Sequence, residues 1–100
     1  MKIELAQHHL KLVKEILSKH IPGMEVWVFG SRVTGTSKKF SDLDLVIITK
    51  KPLPSKVMTS LQETFSESNL PIKVDLVDWS IISEDFRKII SQKFQVLIRN

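Results

Sequence analysis

The sequence predicts an α/β (α+β) fold: a small mixed three-stranded sheet packed by helices, in the order α-β-(short helix or loop)-β-α-β-α. Three observations predict it. Two short runs, Glu25 to Phe29 (EVWVF) and Asp42 to Thr49 (DLDLVIIT), are largely apolar on both faces, as central strands must be. Stretches with apolar residues at helical spacing alternate with these runs and with a third, Ile72 to Val77 (IKVDLV). The second and third runs flank a helical stretch, and such a crossover joins parallel strands with a right-handed turn.

Taken in order, Ile3 to His20 reads as a helix, with Leu5, Leu12, Val13, Ile16 and Leu17 on one stripe. Ile21-Pro22-Gly23 ends it. The first strand runs into Gly30, and the second starts at Asp42. If the end of one and the start of the other share a site, these two strands run antiparallel. Ser55 to Ser68 is helical, with Val57, Leu61 and Phe65 at i, i+4 and i+8, and Asn69-Leu70-Pro71 stops it. Ser83 has the character of an N-cap, with Glu84 and Asp85 in the first turn of a last helix. That helix is expected to turn Phe86, Ile89, Ile90, Phe94 and Leu97 inward.

Composition narrows the function classes. One hundred residues make a single domain, 1–100, with no linker, repeat or low-complexity tract. Absence of cysteine excludes a disulfide framework and a thiolate metal site. No apolar run is long enough to span a membrane, and the amphipathic N-terminus is unlike a signal peptide, so the expected location is the cytoplasm. A net charge of +4 suits an anionic ligand, or is simply a solvated basic surface. His8, His9 and His20 are spread around a helix and do not make a metal site, and Trp27 and Trp79 read as core.

The chemistry concentrates between Gly30 and Leu45, GSRVTGTSKKFSDLDL. Gly30 permits a tight turn, and Ser31 offers a hydroxyl and a backbone N–H at the start of a helical turn, where anions bind readily. Asp42 and Asp44 lie two apart on a strand, so their carboxylates share a face. A parallel neighbour brings Asp75 to the same edge. Three converging carboxylates repel unless a cation sits between them, and Mg²⁺ is a hard ion that takes carboxylates together with substrate phosphates. An Asp-x-Asp alone can merely solubilise the start of a strand. Joined to a strand, a Gly-Ser turn and a third strand aspartate, it points to a nucleoside triphosphate with Mg²⁺. Asp78 falls off the Asp75 face by its spacing.

This pattern resembles the nucleotidyltransferase superfamily that includes polymerase beta and the poly(A)-adding enzymes. The GSRVTG…SDLDL form and the WVFG lead-in resemble the minimal nucleotidyltransferases (MNT) of HEPN–MNT toxin–antitoxin modules. The resemblance spans the whole chain. It implies that Gly30, Ser31 and Arg32 bind nucleotide, with Arg32 reaching phosphate. It implies that Asp42, Asp44 and Asp75 are catalytic and ligate Mg²⁺, as two ions, with Asp75 helping to deprotonate the acceptor. At Thr34 the sequence departs from the many MNT sequences that carry a basic residue near the second glycine of the loop; Lys38 and Lys39 could supply that charge. Full-size relatives add a helical domain over the site, so here the site is expected to be open on one side, with a partner to close it.

The implied function is an Mg²⁺-dependent transfer of AMP from ATP to a hydroxyl, a tyrosine, of a HEPN-type helical partner. With no tyrosine in this chain, that acceptor cannot lie in cis. The alternative is a non-catalytic module that neutralises the partner by contact alone. A nucleic-acid-directed transferase finds no stacking motif in support, so direct nucleic-acid binding is not expected.

Overall fold

The computed structural model describes residues 3–99. Its elements are α1 (Gln7–His20), β1 (Val26–Phe29), α2 (Ser31–Thr34), β2 (Leu43–Ile47), α3 (Ser55–Glu67), β3 (Val74–Asp78), a 3₁₀ turn (Trp79–Ile81), α4 (Glu84–Gln92) and β4 (Gln95–Ile98). Among the described residues, no helix is long and apolar enough to cross a membrane.

The strands form one sheet in the order β3-β2-β1-β4. β1 pairs with β2 antiparallel, and β2 with β3 parallel, as the sequence predicts. The count differs. The expected three-stranded sheet has a fourth strand, because the last helix stops at Gln92 and the chain turns back along β1. Lys93 is extended there. Phe94 and Leu97, expected on the helix, instead lie outside it: Leu97 is buried in β4, and Phe94 stacks on Trp27 with centroids 4.0 Å apart. Ile89, expected inward, stays on α4 but is exposed. Pairing with the open edge of β1 explains the change: Gln95 pairs with Val28, Val96 with Trp27 and Ile98 with Val26, the register shifting at Leu97.

At the other end, α1 starts at Gln7 rather than Ile3. Ala6 occupies the cap position and offers no side-chain hydrogen bond, so residues 3–5 lie outside the helix as a short strap that bends at Glu4 and Leu5. Ser83 caps α4 as expected, its hydroxyl accepting from the Phe86 N–H at 3.1 Å.

The main core lies between one face of the sheet and the pair α1 and α3. Val13 and Leu17 of α1 and Leu61 of α3 meet Val26, Val28, Leu43, Leu45 and Ile47, all fully buried. These strand residues alternate with Trp27, Phe29, Asp44 and Val46, which therefore belong to the second face. α4 lies over part of that face. Phe86 meets Phe29 edge-on at 5.8 Å, while Val46 and Ile90 are buried outside the main core. The carboxylates thus stand on the sheet face that α4 covers only in part, at the end where β1 finishes and β2 and β3 begin.

Candidate functional site

The ladder places the carboxylates. Phe29 is the cross-strand partner of Asp44 in the antiparallel pair, and Asp44 is the partner of Asp75 in the parallel pair. Asp42 directly precedes β2 and shares the face of Asp44 by alternation. The structure therefore brings Asp42, Asp44 and Asp75 to one edge beside the Gly30 turn. Asp75 is exposed, whereas Asp42 and Asp44 are half-buried.

Gly30 is held there by two independent constraints. Its φ of +79° lies in the region that side chains rarely adopt. A β-carbon on it would also collide with the Asp44 carboxylate, lying 3.1 Å from Cγ. The end of β1 and the start of β2 consequently approach more closely than any other residue would permit. Ser31 opens α2 directly after this turn, and the Gly30 carbonyl accepts from the N–H groups of Val33 and Thr34 at 3.0 and 3.1 Å.

The electrostatics follow from this crowding. The Asp44 carboxyl is pushed up from 3.8 to about 6, first by burial and then by the charges of Asp75 and Asp42. Among the described residues, no three His, Cys, Asp or Glu side chains already stand as a closed metal cage. Like charges without a counter-ion have no reason to converge. The donor set is nevertheless one that fits a hard divalent cation: carboxylate oxygens only, with one carboxyl destabilised as an anion by its two neighbours.

Arg32 departs from the expectation. It is 6% exposed, and its guanidinium turns inward onto backbone carbonyls rather than outward to where a phosphate would lie. It donates to Glu4 O at 2.6 Å, to Ser41 O at 2.8 and 3.1 Å, and to Lys39 O and Lys38 O at 3.3 and 3.4 Å. The physical reason is that a charge with five donors satisfies a loop that has carbonyls and no regular partner strand. Lys38 and Lys39 remain exposed beside the site.

Asp78, off the face of Asp75, has a structural post. It is 4% exposed and accepts from Thr49 Oγ1, from the Leu53 N–H at 2.8 Å, and from the Ser80 N–H and hydroxyl at 3.0 and 2.7 Å. Burial pushes its carboxyl up, but these hydrogen bonds outweigh it and hold the group below its usual value. Sequence reasoning missed the wall formed by Phe29 and Phe86 beside Asp44. The available signal was that Phe29 precedes Gly30 on the face opposite Val28. Trp27 and Trp79, expected in the core, are instead half-buried outside it and pack against each other at 5.5 Å on the second face of the sheet.

Comparison with known proteins agrees with this geometry. The family described as polymerase beta, nucleotidyltransferase matches residues 11–100. A relative from Haemophilus influenzae, the probable protein adenylyltransferase MntA, is 48% identical over 96 residues, spanning 96% of this chain and 84% of that protein. Among solved structures, a toxin–antitoxin with AMP-PNP superposes with a TM-score of 0.77 at 24% identity, over 91% of this chain and 73% of that one. A tri-AMPylated Shewanella oneidensis HEPN toxin in complex with MNT antitoxin gives a TM-score of 0.71 at 21% identity, over 94% and 72%. With its carboxylate edge set against a glycine turn, and with these relatives, the chain belongs to the polymerase beta nucleotidyltransferase family and is a nucleotidyltransferase of the minimal (MNT) type.

Proposed function

We propose that the protein transfers AMP from ATP to a hydroxyl, a tyrosine, of a HEPN-type partner and so acts as an antitoxin. The observation that carries the reading is the pairing of Asp44 with Asp75 in the ladder, next to a Gly30 turn that admits no side chain. The relatives named above are a probable protein adenylyltransferase and an MNT antitoxin in complex with a HEPN toxin, which supports the choice of partner.

In this reading the Gly30 turn and Ser31 hold the triphosphate. The acceptor oxygen attacks the α-phosphorus, the new O–P bond forms as the bond to the β-phosphate bridge breaks, and pyrophosphate leaves. A tyrosine hydroxyl has a pKa of about 10, so its proton must be taken as it attacks. Asp75, exposed on the outer strand, accepts that proton and passes it to water. Asp42, Asp44 and Asp75 would hold Mg²⁺, one ion or two, which when bound supplies charge neutralisation at the phosphates. Consuming ATP in this way fits a cytoplasmic setting.

Incubation of the chain with labelled ATP, Mg²⁺ and a co-expressed HEPN-type protein tests the reading. Label is expected on the partner, in a complex whose mass by light scattering exceeds that of either protein alone. A stable complex that never acquires label would overturn the transferase reading in favour of neutralisation by contact. Two species that do not associate would remove the antitoxin role.

A further inference from the structure

The buried guanidinium of Arg32 has no part in the transfer as described above, yet it joins the strap 3–5 to the loop that leads into Asp42. Its Nη1 donates to Glu4 O at 2.6 Å, and the Glu4 N–H returns a bond to Arg32 O at 2.7 Å. The strap 3–5 is thereby tied to the first turn after Gly30. Nε and Nη2 both reach Ser41 O, the carbonyl immediately before Asp42. Nη2 also lies within reach of Lys38 O and Lys39 O. Ser41 closes the loop on itself, its hydroxyl accepting from the Lys38 N–H at 2.8 Å and its own N–H donating to Lys38 O at 3.1 Å. Ser37 adds a hydroxyl contact to the Glu4 carboxylate.

We propose that Arg32 is a positioning residue that clamps the strap 3–5 and the loop 37–41 together, and so sets where Asp42 enters the site relative to the Gly30–Ser31 turn. The two halves of the site come from different stretches of chain, and residues 35–42 between them have no helix or strand of their own. Something must set their separation. A planar fork of five donors suits carbonyls arriving from several directions, whereas an ammonium presents three tetrahedral donors and cannot span them. Catalysis is sensitive to such placement, since a shift of about 1 Å can cost about a hundredfold in rate. Arg32 acts through Asp42 and touches no substrate. Its competitor is a guanidinium that swings out to bind phosphate.

The inference rests on the proposed function for its kinetic arm only. Arg32→Lys keeps the charge and most of the stem. Its kcat for transfer to the partner is expected to fall about 10- to 100-fold, with KM for ATP moving less than about threefold. A rise in KM of about tenfold or more with kcat retained would instead make Arg32 a phosphate ligand, and unchanged kcat and KM in the folded variant would reduce the clamp to packing. The second arm uses the wild-type chain, and it decides the matter if the variant does not fold or if no transfer is found. The Arg32 Nε–H resonance in nitrogen-15 spectra is expected to resist exchange with water, both without nucleotide and with Mg²⁺–ATP. Exchange as fast as that of free arginine, or loss of protection on adding nucleotide, would overturn the clamp. Absence of any transfer by the wild-type chain, with that resonance protected, would fault the functional reading and leave the clamp standing.

Discussion

Asp44 and Asp75 stand opposite one another in the parallel ladder of β2 and β3, so two carboxylates occupy neighbouring positions on one face. Directly opposed like charges destabilise a sheet. Together with burial beside Phe29, this pairing keeps the Asp44 carboxyl near 6. Each prediction below follows from that arrangement or from the groups that support it.

Asp44→Asn should abolish transfer and stabilise the metal-free protein at neutral pH. The folded-state value of about 6 lies above the ordinary 3.8, so between those values the folded protein holds more protons than the unfolded chain. Stability of the wild type in metal-free buffer therefore falls as pH rises from about 4 to about 6, and stays lowered above that. Urea unfolding should show the variant more stable by about 1–2 kcal/mol at pH 7, allowing for partial exposure, and equal to wild type near pH 4. A variant that melts well below wild type at pH 7 would make Asp44 a structural residue.

Gly30→Ala should cost both fold and function, unlike the same change at Gly23. Both glycines have positive φ, +79° and +78°. Nothing lies within 4 Å of a β-carbon at Gly23, whereas at Gly30 the Asp44 carboxylate occupies the space. Gly23→Ala should lose about 1 kcal/mol from backbone strain alone. Gly30→Ala should lose more, up to about 3 kcal/mol, and should show no measurable transfer. Thermal unfolding of the two variants side by side makes the comparison, and equal losses would count against the close approach.

Asp75→Ala should separate chemistry from nucleotide binding. Asp42 and Asp44 come from one stretch and can retain the nucleotide-bound cation, while Asp75 comes from the neighbouring strand and is exposed. Affinity for Mg²⁺–ATP by calorimetry is expected within a few-fold of wild type, while the transfer rate falls about 10²–10⁴-fold. Equal loss of both would make Asp75 a primary ligand of the nucleotide site.

Asp78→Ala should destabilise the protein at neutral pH and leave the site's chemistry in place. Its carboxylate holds the Thr49 hydroxyl, the Leu53 N–H and Ser80 in a buried turn. Its folded value is depressed, so the stability it contributes is present in full above the ordinary 3.8 and is lost as pH falls through the lower folded value. Unfolding at pH 7 should show a loss of about 2–4 kcal/mol, narrowing in acid below about pH 3.8. Transfer rates at temperatures where the variant is folded should stay close to wild type, since Asp78 lies three residues on from Asp75 and on the opposite face.

Patterns carried by neighbours in the chain were legible without the structure. The apolar alternation of residues 43–47 with aspartates at 42 and 44, the helix between residues 55 and 67, and the crossover to Asp75 are local signals, and together they imply both strand directions and the meeting of the carboxylates. What depends on contacts between distant segments was not. Phe94 to Ile98 carries apolar residues compatible with either period, and only the open edge of β1 makes it a strand. Arg32 reads as a phosphate ligand beside Ser31, but 28 positions separate it from Glu4, whose carbonyl helps draw it inward. A charged side chain goes where its desolvation is best compensated, and the carbonyls that compensate Arg32 are assembled by tertiary structure alone.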